Sequence, residues 1–538
     1  MDKPIVGTIV ALFAFTGFES HAEQQALDPV EKIVPRGEIR IVDESPVNWA
    51  SITFNVFEHL MEIDKDGQLV PRLATSWQWL DERTLEVSLR RGVRFHNGEV
   101  FDAEIVKLNW EKNIGLRLPH AIGEYMNFAP GSRLEIVDPY TVRFHFSRVD
   151  GGALPKISIM HIGNRQFYQE VGWGETHWCI TKAPGPWGTG PYKLVEGYSV
   201  PDARSDRVVL EANTDYWDPQ RFPRLKRIIF DNTMGQEEAV ELVKHGEGRV
   251  DVVTGLSPLE TLRVAKSPFA KVVKKRGAFA IVFGLINTRK KESPWGDVRL
   301  RRALNLAINR GDLIRYAAKG NGIVVPALVG EQMFGYPTDL SPYPFSPGEA
   351  RRLLTEAGYP DGLTIELLAP EYLAVQATVI TRMLEQVGFE VRRHILDEHE
   401  LQERTMIPFL DGLPHEQSWD IALTYWNDDI NFPPYLIHHD LVLGGHLDWV
   451  NEQPGLRRLY EQVLDTVDRG KQAALIEQME EYIQAQAYLL FLYNPISLYA
   501  VNRAVEFVPY ITTDLVLAET GVTDDHWSVR KSASLSGH

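Results

Sequence analysis

The segment Trp426-Asn427-Asp428-Asp429-Ile430-Asn431-Phe432-Pro433-Pro434 sets two carboxylates and an aromatic ring directly after an apolar strand pattern, Asp420 to Tyr425. In open α/β sheets ligands bind beyond the carboxyl ends of the strands. This stretch is therefore suited to a cationic or polar ligand, and the plainer alternative is a solvated acidic turn. His438, His439, Asp440 and His446 have metal-ligand residue types. Adjacent histidines point different ways on a helix or strand, so a structural or solvent-facing role is the better reading and no metal is expected. Asp397-Glu398-His399-Glu400 reads as a polar helix start. The single cysteine, Cys179 in His177-Trp178-Cys179, excludes an intramolecular disulfide and any multi-cysteine metal site. A lone cysteine of this kind is an inert buried thiol. No Gly-x-x-x-x-Gly-Lys loop, Gly-x-Ser-x-Gly elbow or His-Glu-x-x-His helix occurs. No catalytic group and no cofactor is nominated, and the chain does not read as an enzyme.

The elements around these residues change character along the chain. Gly37 to Val42 alternates as a first strand should. Leu85, Val87 and Leu89 alternate with polar residues, as do Val142, Phe144 and Phe146, which marks half-buried antiparallel strands. Asp138-Pro139 is a turn into the second of these, and Trp187 to Tyr192 is a break. Beyond about Asn287 helices and strands alternate. Ala350, Leu353, Leu354 and Ala357 form one helical stripe, with a capping box expected from Ser346 and Glu349 and Pro347 at the first helical position. Leu363 to Leu367 is a strand. Leu373, Ala377, Ile380, Leu384 and Val387 form a helix, and Phe389, Val391 and Ile395 lie on the next strand. A helix follows near Glu398 to Phe409, before the strand ending at Tyr425. Strands joined by helices run parallel, so this half is an α/β domain.

With 538 residues the chain has room for about three domain-sized units. Its 44% hydrophobic and 24% charged residues are ordinary for a globular protein and exclude disorder. The net charge of -17 repels phosphate backbones and anionic lipid. The densest basic run, Lys271 to Arg276, reads as a strand edge, so no nucleic-acid partner is expected. Lys3, the apolar run Ile5 to Phe18 and Ser20-His21-Ala22 have the order of a cleavable secretory leader. The run is shorter than the ~20 residues that span a bilayer. No cysteine follows it to accept a lipid, so a product beginning near Glu23, exported and not lipid-anchored, is expected.

Several stretches resemble the family 5 extracellular solute-binding proteins, the periplasmic receptors for peptides, nickel, sugars and opines that feed ABC importers. They are Phe57-Glu58-His59-Leu60, Leu69 to Trp77, Leu89 to Glu99 (with Asn97 where Asp is usual), Gly188 to Tyr192, Asn213 to Trp217, Asp297 to Leu304 and Leu353 to Tyr359. They occur in the family's order over about residues 37 to 495. The resemblance implies a two-lobed periplasmic-binding-protein fold of type II, in the large class with an extra subdomain, and a hinge of two crossing segments. Lobe I is then discontinuous (23–50, 187–283 and 491–527), with 51–186 as the extra subdomain and 284–490 as an α/β lobe II. Residues 1–22 are the leader and 528–538 a loose tail. The hinge strands fall near Ala280 to Asn287 and Leu489 to Pro495.

In peptide-binding members of this family an aspartate after a Trp-x-x motif pairs with the ligand's α-ammonium, and the match falls on Asp429. A desolvated ammonium needs a paired anion. Trp426, Asn427, Tyr425, Trp49 (in the loop after the first strand), Ser51, Phe279 and Tyr372 complete the expected binding residues. Two departures count against a plain dipeptide. Phe432-Pro433 replaces the family's Asp-Pro, and the loop Ala369-Pro370-Glu371-Tyr372 lacks the arginine that takes a dipeptide's carboxylate. A longer peptide, an opine or a sugar-containing solute is comparably favoured. The expected partners are a small-molecule or short-peptide ligand and an inner-membrane ABC permease, with the receptor a monomer in the periplasm. The rivals are an exported hydrolase and a chaperone or adhesion protein on the same fold. Amino-terminal sequencing of the periplasmic protein should begin at or near Glu23; an intact Met1 on a membrane-embedded form would contradict export.

Overall fold

A computed structural model describes residues 33–43, 45, 48–114, 127–173, 181–200, 203–246, 248–410, 417–427, 435–443, 445, 447–450, 453–512 and 514–530. The chain divides into a short amino-terminal unit, Met1–Val34, and a unit from Pro35 to His538 that holds every element named below. Two large sheets organise that second unit. Their strands are β1 (Glu38–Val42), β2 (Tyr192–Glu196), β3 (Arg207–Ala212), β4 (Arg227–Asp231), β5 (Val252–Val253), β6 (Ala270–Lys275), β7 (Ala280–Ile286), β8 (Gly322–Ile323), β9 (Leu363–Pro370), β10 (Phe389–Leu396), β11 (Ile421–Asn427), β12 (Leu489–Pro495) and β13 (Ser497–Asn502). The helices used here are α1 (Asn48–Val56), α2 (Val298–Ala307), α3 (Pro347–Glu356), α4 (Ala374–Glu385), α5 (Glu398–Thr405), α6 (Tyr435–Val442) and α7 (Arg469–Ala485).

The first sheet has seven strands in the order β6-β13-β5-β1-β4-β3-β2. In it β1 runs parallel to β4 and β5, while β13 runs antiparallel to β5 and β6. The second has six, in the order β8-β12-β7-β11-β9-β10, with β9 parallel to β10 and β11 and β7 antiparallel to β11 and β12. A third, four-stranded antiparallel sheet is built from Ala74–Asp81, Thr84–Leu89, Arg133–Asp138 and Thr141–His145. Here the expected alternation holds: Leu85, Val87, Val142 and Phe144 are buried.

A central strand covered on both faces must be apolar on both, and β7 is buried at all seven positions. Its alternate residues feed different cores. Ile281, Phe283 and Leu285 join one cluster with Trp449, Tyr460 and Met479, whereas Val282 and Ile286 join another with Trp295, Leu304 and Ile380. The motif 297–304 fastens the helical layer to this sheet. Asp297 caps α2 by accepting the Arg299 N–H (2.8 Å), and buried Arg301 donates to the carbonyls of Trp295 (2.6 Å) and Gln486 (2.8 Å).

A second knot lies at the end of α1, where the other motifs meet. Buried Glu58 accepts hydrogen bonds from the Tyr216 hydroxyl (2.6 Å) and Trp217 Nε1 (2.7 Å). The His96 ring is 2.9 Å from the Gly190 carbonyl through Nε2, and Asn213 Nδ2 donates to the same oxygen at 3.2 Å. Gly190 lies so close to α1 that a Cβ there would be 2.6 Å from the Asn55 carbonyl and 2.7 Å from that of Val56. Only glycine fits at that separation.

Three local expectations need correction. Trp49 is not in a loop after the first strand, since the chain is helical from Asn48 onward. Ser346 does not close a capping box: its side chain makes no cap bond, and Glu349 is drawn instead to Arg352 (2.8 Å). The spans expected as hinge strands, Ala280 to Asn287 and Leu489 to Pro495, are neighbouring antiparallel strands inside the six-stranded sheet. The expected boundaries at 283/284 and 490/491 therefore cut through β7 and β12. The chain changes sheet just outside them, between β6 and β7 at residues 276–279 and between β12 and β13 at Ile496. Asp397, by contrast, caps α5 as expected, accepting the Glu400 N–H at 2.8 Å.

Burial holds the His59 imidazole down at about 3, with the Arg72 charge acting in the same direction. It lies 3.0 Å from His161 through Nε2. Below about pH 6.5 the unfolded chain binds a proton that the folded His59 refuses, so stability is full above 6.5 and drains as pH falls toward 3. His59→Phe should therefore be nearly neutral at pH 7.5 and more stable than the parent by about 2 kcal/mol at pH 5, measured by urea unfolding.

Candidate functional site

The strand directions fix where the two sheets face each other. β1, β4, β5 and β6 all end at one edge of the seven-stranded sheet, and β13 begins there. β9, β10, β11 and β12 end at one edge of the six-stranded sheet, and β7 begins there. Both crossings, 276–279 and Ile496, join those two edges. Asn494 ties the crossings together by donating through Nδ2 to the carbonyls of Ala278 (2.8 Å) and Ala280. The carboxyl ends of both parallel strand sets thus open onto one region, the place where α/β sheets bind ligands.

On the seven-stranded side Asp43 directly follows β1, and α1 begins a few residues later. Trp49 is half-buried on α1. Ser51 is buried, and its Oγ accepts the Leu515 N–H at 3.1 Å. Asn55, one turn further, donates to the carbonyls of Ser51 (2.6 Å) and Leu515 (2.5 Å) and accepts from Leu517 N–H at 2.8 Å. Ser51 therefore serves the frame, stitching the carboxyl-terminal return onto α1. The residue that sequence reasoning missed is Asp43, directly after β1 and only 6% exposed. Its Oδ1 accepts the Thr254 hydroxyl (2.7 Å) and the Ser45 N–H (3.2 Å). Burial raises its proton affinity against the pull of those hydrogen bonds. The only trace in the sequence is an acidic residue abutting Ile41-Val42, both buried.

On the six-stranded side Tyr425, Trp426 and Asn427 close β11, paired in register with Val282, Ile281 and Ala280. Successive strand residues face opposite ways. Trp426 accordingly packs, half-buried, on the core that contains Ile281, while Tyr425 is 37% exposed. Tyr372 sits in the short turn after β9 and is 57% exposed. Phe279, in the first crossing, is buried against Ala327, Val329, Met333 and Ile511. It also lines a cavity of about 470 Å³ with Gly67, Gln332, Phe334, Tyr336 and Arg469. Trp49 and Ser51 thus lie at one sheet edge, and Phe279, Tyr372, Tyr425, Trp426 and Asn427 at the other. Asp428, Asp429 and the rest of the 428–434 segment lie outside the described residues, as do Cys179 and His446.

His438 of the histidine cluster is engaged elsewhere, in a fully buried contact of 2.5 Å with Glu480, and His439 is 3.2 Å from the Tyr460 hydroxyl. Among the described residues no group of three or more side chains could hold a metal ion, and no helix is long and apolar enough to cross a membrane.

Two mixed sheets exchanging strands at facing carboxyl edges define the two-lobed, type II periplasmic-binding-protein fold. Family comparison makes the assignment specific: the model for bacterial extracellular solute-binding proteins, family 5 (middle), matches residues 68–442, and the chain belongs to that family. The glutathione-binding protein GsiB of Pectobacterium atrosepticum is 27% identical over 363 residues, which is 64% of this chain and 65% of that protein. The substrate-binding protein CtaP of Listeria monocytogenes superposes with a TM-score of 0.75 at 19% identity, covering 91% of this chain and 100% of that one. AgaA from A. tumefaciens R10, solved with agropinic acid, gives 0.67 at 18%, covering 91% and 99%.

Because Trp426 rests on the core and Tyr425 does not, truncating them should differ. Trp426→Ala should cost about 2 kcal/mol, part of the 3–5 lost at a fully buried aromatic, and Tyr425→Ala less than about 0.5 kcal/mol, both read from urea midpoints.

Proposed function

We propose that the chain is an exported receptor that closes its two lobes around a peptide, or a peptide-like or opine solute, and delivers it to an ABC importer in the inner membrane. The observation that carries this reading is the pair of carboxyl edges linked covalently by two short crossings, in a chain of family 5. The names of its relatives, a glutathione-binding protein and an agropinic acid complex among them, point to solutes with a free ammonium or an amino-acid-like end. In this reading residues 1–22 are removed on export, the receptor works as a periplasmic monomer, and the lobes are the bodies built on the two large sheets. Asp429, beyond the end of β11, is the anion that holds the solute's ammonium, with Trp426 and Trp49 beside it.

Closure sets the energetics. A solute closes the lobes only through its preference for the closed form, and moving a 1:99 equilibrium to 99:1 takes ~5.5 kcal/mol. Micromolar affinity supplies ~8.2 kcal/mol in total, enough for both tasks.

The reading is tested by small-angle scattering and calorimetry with glutathione, the tetrapeptide Ser-Thr-Ser-Ala and agropinic acid. A contraction and a heat signal with at least one of them are expected; silence with all three, beside peptide cleavage products, would move the assignment to a hydrolase. Removing one partner of a buried ion pair costs ~3–5 kcal/mol. Asp429→Asn should therefore weaken the responding solute by about two to three and a half powers of ten with the unliganded melting temperature unchanged. Asp428→Asn, the matched control, should cost less than about tenfold.

A further inference from the structure

The four-stranded sheet is fastened to the seven-stranded one. The Ile162 N–H donates to the Glu58 carbonyl (3.0 Å), and the Asn164 N–H to the carbonyl of Trp187 (3.1 Å), which sits in the core with Ile39 and Ile41 of β1. Yet one turn beside the four-stranded sheet reaches the other body. Buried Gly151 donates its N–H to the Leu464 carbonyl at 2.6 Å, at the carboxyl end of the helix Pro454–Leu464. Its own carbonyl accepts from Gln472 Nε2 on α7 at 2.9 Å, and Gln472 also donates to the Val463 carbonyl (3.2 Å). A few residues on, Ile159 is fully buried in the core that holds Phe283, Tyr460 and Met479. Its neighbours Leu154, Ile157 and Met160 belong instead to the core of the four-stranded sheet. Asp150 braces the turn, accepting the Gly152 N–H (3.0 Å) and a hydrogen bond from Lys156 Nζ (2.9 Å). The approach admits no side chain: a Cβ on Gly151 would lie 2.3 Å from the Val463 carbonyl oxygen and 2.6 Å from that of Thr466.

Covalently the two large sheets are linked by the two short crossings, and this contact is a further link that no bond enforces. Its acceptors are carbonyls at a helix end, which have no intrahelical donor and can be satisfied by water. Parting the surfaces exchanges these hydrogen bonds for bonds to water instead of stranding a buried group. A movement of one body relative to the other about the crossings parts or shears the contact. We propose that the Gly151 turn is a latch, which seats on the helix end and on Gln472 as the lobes close and leaves both as they open. This rests on the receptor reading and deepens it. Gly151 and Gln472 are then positioning residues that raise solute affinity without touching the solute. Part of the preference for the closed form is supplied by the chain itself, and the solute supplies the remainder.

Hydrogen exchange read by mass spectrometry with residue-level fragmentation tests the latch without solute. The Gly151 amide should exchange in the unliganded protein through an opening insensitive to sub-denaturing urea. The buried Leu517 amide, held by Asn55, should exchange only with global unfolding. Exchange of the Gly151 amide at the global rate overturns the proposal, whatever any solute does. Gly151→Ala, which cannot seat, should keep the parent's unliganded melting temperature. It should weaken whichever of glutathione, Ser-Thr-Ser-Ala and agropinic acid contracts the parent by at least about tenfold. Gln472→Leu, which removes only the side-chain ties, should weaken it by at least about threefold. Gly348→Ala on α3, where a Cβ meets nothing within 4 Å, should leave affinity unchanged. A lowered unliganded melting temperature with parental affinity in Gly151→Ala marks a permanent strut and also overturns the proposal. If no solute contracts the parent, the receptor reading fails by itself, and exchange of the Gly151 amide still decides the latch.

Discussion

The chain passes between its two large sheets twice, and both passages join the edges at which parallel strands end. That topological constraint governs the rest of the molecule. Because β7 and β12 are neighbours in one sheet while β6 and β13 are neighbours in the other, the two passages are forced side by side. The Asn494 side chain holds them there through the carbonyls of Ala278 and Ala280. The two bodies are thereby joined covalently at the edges where their parallel strands end, the place where α/β sheets bind ligands.

The stretches that carry the family resemblance do a different job from binding a solute. Glu58 with Tyr216 and Trp217, His96 and Asn213 on Gly190, and Arg301 on Trp295 and Gln486 are all internal ties. They tie the segment after α1 to the loop after β3, and α2 to the end of α7. Solute chemistry is left to residues outside those ties, and this is why a chain can belong to the family plainly while its solute stays a separate question. A rigid wall also has a physical use here. α1 is held by Asn55 and Ser51 to the carboxyl-terminal return, which in the proposed receptor makes it a firm wall.

Local pattern carried most of the second body, because its strands and helices are fixed by short-range burial. Ala377, Ile380 and Leu384 lie on one face of α4 with Leu373 at its N-cap, and all four are buried. The alternation at Leu85 and Val142 works for the same reason. What escaped depended on partners far along the chain. Asp43 accepts the Thr254 hydroxyl and lies close enough to Tyr499 to act on it, and neither is near it in sequence. Ser51 looks like a free hydroxyl until Leu515 returns to it. The hinge was misplaced by a few residues because β7 and β12 are apolar throughout, and an apolar run reads alike whether it crosses between bodies or lies at the centre of one. Ser346 fitted a capping pattern, but an i, i+3 arginine competed for its glutamate.

The crossings are short: four residues in one, and a single residue, Ile496, between the strands of the other. Gly277 within the longer one has φ +71°, and a Cβ there would run into the Gln332 side chain. In the proposed receptor few backbone torsions are thus free to change as the lobes move. Fixing a residue costs ~1–2 kcal/mol of conformational entropy, so an unlatched form gains little disorder over a latched one. The equilibrium between them is then decided almost entirely by surface contacts and by charge. In that proposed cycle the linker, like a stiff mechanical joint, transmits the solute's preference without adding one of its own.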